Sequence, residues 1–91
     1  MSLGALDRFL LPWAEEAEPF TELQLRSLVV RHAGASLGAV VLRWSRSAHA
    51  RGLLERVEWA SGPFFLVTEE GQRRRDALQQ PAAPAALGRA A

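Results

Sequence analysis

Up to Gly52 the apolar residues of this chain recur every three or four positions; beyond it they gather into two short runs rich in valine, leucine and aromatics. The first spacing lays side chains along one face of a helix. The second, bounded by turn residues, reads as strands. The sequence therefore predicts helices first and a single hairpin after them: a mostly α chain with a small β-hairpin (α+β).

The helix signals are specific. Ser2 can cap a first helix carrying Leu3, Leu6, Phe9 and Leu10, with Pro12 expected to end or kink it near Leu10 and residues 13–17 adding a further turn. Thr21-Glu22-Leu23-Gln24 has the form of a capping box, and Phe20 before it can staple onto Leu25. Leu25, Leu28, Val29 and His32 share a face, and Gly34 is placed to stop that helix in a left-handed turn. Ser36 is the expected cap of a third helix over residues 36–51. Its core face is Leu37, Val40, Val41, Trp44 and Ala48. Strands follow at 53–59 and 64–67, with Ser61-Gly62-Pro63 as the turn. Thr68-Glu69-Glu70 opens a last helix that Pro81 stops, with a thin stripe of Val67, Gly71 and Leu78.

At 91 residues the chain holds one hydrophobic core. Residues 1–80 are expected to fold as one domain and 81–91 to form a disordered Ala/Pro-rich tail. With no cysteine, disulfide scaffolds, thiol catalysis and Cys-based metal sites are excluded. No apolar run is long enough for a membrane helix, and the start lacks the order of a signal peptide, which implies a cytoplasmic protein. Eleven bases against ten acids give a net charge of +1, and every base is arginine. Lysine, asparagine, isoleucine and tyrosine, whose codons are AT-rich, are all missing, so coding bias explains that choice. A nucleic-acid face must then come from where charge sits. Residues 36–57 carry four arginines and one glutamate; residues 1–34 carry three arginines and five acids.

In this order the elements resemble a winged helix-turn-helix domain. Arg51-Gly52-Leu53-Leu54-Glu55-Arg56 is similar to the "RGLhxR" segment by which the reading helix of MarR- and PadR-like repressors enters the wing. Phe65-Leu66-Val67-Thr68-Glu69-Glu70-Gly71 is similar to the "hxLTxxG" segment that closes it. Val29-Val30-Arg31-His32-Ala33-Gly34-Ala35-Ser36 resembles the "LAxxhGhS" turn. The resemblance runs from Thr21 to Leu78. It departs from the family by a one-residue offset of the third helix and by lacking the long flanking helices of MarR-like dimers. It implies a small bacterial DNA-binding protein, a transcriptional regulator that reads the major groove with helix 36–51.

On that helix the outer face holds Ala39, Leu42, Arg43, Arg46, His49 and Ala50. Arg43 and Arg46 are the candidate base or phosphate contacts, with Ser36, Ser47 and Arg56 as further contacts to double-stranded DNA. The alternative for such an arginine row is a solvated surface. Ala39, Leu42 and Ala50 leave open a second function, a winged-helix protein–protein interaction module without DNA binding. Arg73-Arg74-Arg75 can touch phosphate or, as expected here, form a solubilising surface flanked by Glu69, Glu70 and Asp76. Because one such domain reads few base pairs, a homodimer is expected. Leu3, Leu6, Phe9, Leu10 and Trp13 are its candidate interface, unless they cover the domain's own core. No enzyme is expected, and no catalytic residue, cofactor or metal. His32 and His49 lie on different helices without ligand spacing, Glu15, Glu16 and Glu18 lack a partner base, and no phosphate loop or nucleophile elbow occurs.

Overall fold

The computed structural model describes residues 2–79; the expected tail over 81–91 lies outside them. The chain is mostly helical with one two-stranded antiparallel hairpin. A 3-10 turn, Gly4–Leu6, leads into α1 (Asp7–Ala17); α2 (Glu22–Ala33), α3 (Ala35–Gly38) and α4 (Val41–Ala50) follow. The hairpin is β1 (Leu54–Trp59) with β2 (Gly62–Val67), and α5 (Glu69–Gln79) closes the order.

Pro12 does not end α1, which continues for five residues beyond it. An interior proline cannot donate to the carbonyl four residues back, here that of Arg8. That oxygen instead accepts a hydrogen bond from the Gln79 side-chain amide of α5 at 3.2 Å. The Ser2 hydroxyl does cap the opening turn, accepting from Ala5 N–H at 3.2 Å.

Between α1 and α2, after a cis Glu18–Pro19 bond, the backbone of Phe20 exchanges two hydrogen bonds with Phe65, at 3.1 and 2.7 Å. Glu18 also accepts from the Val67 N–H at 2.7 Å. This short segment thus lies against β2 as the start of a third strand. The capping box forms as the sequence predicts: Gln24 N–H donates to the Thr21 hydroxyl (3.1 Å) and Thr21 N–H to the Gln24 amide oxygen (2.9 Å). Gly34 ends α2 with φ 97° and ψ 163°, a positive-φ but extended backbone rather than the left-handed turn expected.

The single helix expected over residues 36–51 is broken. α3 is one turn, Ala39 and Val40 form a bend, and α4 starts only at Val41. The break falls at Gly38, a poor helix former pressed so closely on α2 that a Cβ would overlap the Val30 side chain. The hairpin tip also differs. It is Ala60-Ser61, with Gly62 at φ 121° opening β2 and Pro63 inside the strand opposite Glu58. Both strands are edges at this end, so proline's missing N–H costs no ladder bond in a sheet interior.

The core draws on every layer: Leu10, Leu11 and Ala14 of α1, Phe20, Leu25 and Val29, then Val41, Trp44 and Ala48 of α4, with Leu53, Leu54, Phe65 and Val67. The Phe20 and Phe65 rings stack at 5.8 Å, joining the first half of the chain to the hairpin. α5 contributes little apolar surface and is held by polar contacts. The Thr68 hydroxyl donates to the Gly52 carbonyl (2.7 Å) and accepts from Gly71 N–H (2.9 Å), and Thr68 N–H donates to Leu53 O (3.0 Å). Gly71 is where α5 crosses the Leu53 carbonyl, and a Cβ there would overlap that oxygen. The two sequence segments Arg51–Leu53 and Thr68–Gly71 are therefore two halves of one junction.

Candidate nucleic-acid interface

α4 has one face in the core and one outside. Val41, Trp44 and Ala48 are buried, as their spacing predicts. Ala39, Arg43, Arg46, His49 and Ala50 are exposed and Leu42 is half-buried. Arg43, Arg46 and His49 follow one another at three-residue intervals and form a ridge along the outer face. His49 also meets the Phe65 ring edge-on at 6.0 Å, which fixes the base of that ridge against the hairpin.

The charges divide into those that hold the fold and those left over. Asp7, at the start of α1, is completely buried. Its carboxylate accepts from Trp44 Nε1 (2.8 Å), from Arg51 twice (2.6 and 2.9 Å) and from Arg74 Nε (3.1 Å). Burial pushes this carboxyl up, but the hydrogen bonds from Arg51, Trp44 and Arg74 and the charge of Arg51 outweigh it, so its pKa lies below the ordinary value. Hydrogen bonding to Asp7 raises the Arg51 pKa in turn. One carboxylate thus ties α1, the end of α4 and α5 together.

Of the four arginines over residues 36–57, Arg51 is committed to Asp7, and Arg56 is exposed but turned to Glu58 at 3.0 Å. Arg46 keeps only a 3.8 Å pair with Glu22 while its side chain stays 73% exposed, a contact worth little in water. Arg43 has no ion pair among the described residues. Arg73-Arg74-Arg75 is occupied: Arg73 pairs with Glu69 and Glu70, Arg74 with Asp7, Arg75 with Glu15 and Asp76.

Other expected site residues fall elsewhere. Ser36 is exposed on α3 and does not cap α4, which begins only at Val41. Ser47 is half-buried, and its hydroxyl accepts from Arg51 Nε at 3.0 Å. In the expected dimer interface, Leu6 and Leu10 are buried in the chain's own core, and Leu3 and Trp13 pack against it. Trp13 is covered further by stacking on His32 at 5.1 Å. These four hydrophobic side chains are spent on folding, and Phe9 alone of the five stays open, at 47% exposure.

Sequence reasoning missed two features. Asp7 carries no sequence signal of its own, and only Trp44, Arg51 and Arg74 gathered around it reveal its role. At the hairpin tip, Trp59 is 49% exposed and packs on Phe64 at 4.8 Å, where a basic side chain would suit a phosphate. Among the described residues no three histidine, aspartate or glutamate side chains gather as metal ligands, and no helix is long and apolar enough to cross a membrane. Comparison with known proteins finds no matching family model, curated sequence or solved structure.

Proposed function

We propose that the chain is a winged helix-turn-helix domain of the MarR/PadR-like kind that binds double-stranded DNA, with α4 in the major groove, and serves as a transcriptional regulator. The observation that carries this reading is the sorting of its arginines. Arg51, Arg73, Arg74 and Arg75 are held by acids of the fold, whereas Arg43 and Arg46 stand on the outer face of α4, which itself bears no acid. An arginine so placed can bond guanine O6 and N7 together or neutralise a phosphate. The element order supports the same reading: helix, the bridging segment at Phe20, three further helical stretches, then hairpin and a closing helix.

Fluorescence anisotropy of a labelled mixed-sequence duplex tests it at two salt concentrations. Binding at about 10⁻⁴–10⁻⁶ M that weakens steeply with salt is expected. The double variant Arg43→Ala/Arg46→Ala should weaken it by roughly tenfold or more and flatten the salt dependence. Equal binding by the variant would place the contact on another face.

A second reading, a protein-binding module, is favoured by the exposed Trp59–Phe64 pair at a tip without a base. It predicts no salt-dependent DNA binding at all. Leu42, suggested by the sequence as part of such a surface, is half-buried and offers less of it than expected.

A further inference from the structure

The most exposed large hydrophobic side chain among the described residues is Leu23, at 63%, and one turn-pair along the same helix Val30 is 40% exposed. Both belong to α2. At about 3.6 residues per turn, Ser27 points opposite the buried Leu25 and Val29, so it marks the centre line of the outward face. Leu23 and Val30 lie to one side of that line. Gln24 and Arg31 lie to the other, where a shallow groove runs between α2 and the end of α1 and is bordered by Glu16. Neither Glu16 nor Arg31 has an ion pair among the described residues.

We infer that this face of α2 is an isologous interface between two copies of the chain. The argument is self-complementarity. A two-fold axis through Ser27, perpendicular to the helix, sets α2 antiparallel to its mate and keeps each side of the face on its own side. Leu23 of one copy then falls opposite Val30 of the other, twice. On the other side Arg31 of one copy approaches Gln24 of its mate and the groove that Glu16 borders, again twice. Ser27, small and polar, meets its equivalent on the axis and lets the helices come close. A hydrophobic pair and an opposite-charge pair are thus each satisfied by a second copy, with no other partner needed. The inference goes beyond the DNA-binding reading and does not depend on it. It also moves the dimer contact from the first helix, whose leucines are buried, to the second.

Sedimentation velocity of the full chain between about 10 and 200 µM tests the interface, a range that reads weak association. A reversible monomer–dimer equilibrium is expected. Leu23→Asp should abolish it while leaving the far-ultraviolet circular dichroism and melting curve unchanged, because the side chain is mostly in water already. Arg31→Glu should weaken it about tenfold, and Glu16→Arg added to Arg31→Glu should restore it by exchanging the charges. A monomer at every concentration overturns the inference. So does a dimer indifferent to Leu23→Asp, or a charge swap that fails to recover association.

Discussion

Asp7 shows how much one residue can carry. Its carboxylate receives four hydrogen bonds from three side chains and lies wholly out of water. Its folded pKa is below the ordinary value, so the stability it contributes is complete above about pH 4 and is lost as pH falls through the folded value. Acid titration followed by tryptophan fluorescence should therefore show unfolding that begins just below pH 4. Asp7→Asn keeps an oxygen for Trp44 but removes the charge that Arg51 and Arg74 share. It should cost about 2–4 kcal/mol at neutral pH and flatten the acid limb, and a variant as acid-sensitive as the parent would move the responsible group elsewhere.

At the level of elements, the junction between the hairpin and α5 is the most demanding. α5 has little apolar surface to bury, so its place depends on the Thr68 hydroxyl and on the bare Cα of Gly71 against Leu53. Gly71→Ala should destabilise by about 1–3 kcal/mol, since backbone and not a flexible side chain stands in the way. Chemical denaturation reads this directly, and an Ala variant as stable as the parent would mean that α5 can move aside freely. Here the sequence was most legible. The capping box at Thr21, the strand pair around its turn and the start of α5 are local patterns, written in neighbouring residues. The failures share the opposite cause. Pro12 passes through α1, and the Arg8 carbonyl it leaves without a donor is taken by Gln79, far along the chain. The third helix breaks just after Gly38, the glycine that lies against Val30 of another helix. Spacing along the chain does not record such partners.

At the scale of the whole molecule, α1 and α5, the first and last α-helices of the described residues, meet. Arg74 and Gln79 of α5 both reach α1, and Glu15 of α1 pairs with Arg75 at 2.8 Å. Two-state unfolding is the consequence. Arg74→Ala should speed amide hydrogen exchange in α1 and α5 together, and acceleration confined to α5 would show that the two helices open separately. The candidate interface has the same origin as the site misreadings. An arginine row on α4 is visible in the sequence, but which arginines remain for a partner depends on where Asp7, Glu15 and Glu58 end up.

The Asp7 cluster also sets an order in time. Residue 7 leaves the ribosome long before Arg51 and Arg74, which lie 44 and 67 residues later. At about 5–20 residues per second, the carboxylate spends several seconds hydrated and alone. Burying it without a base would leave a bare charge in the core, so α1 can settle only once Arg51 has followed, and Arg74 of α5 completes the cluster afterwards.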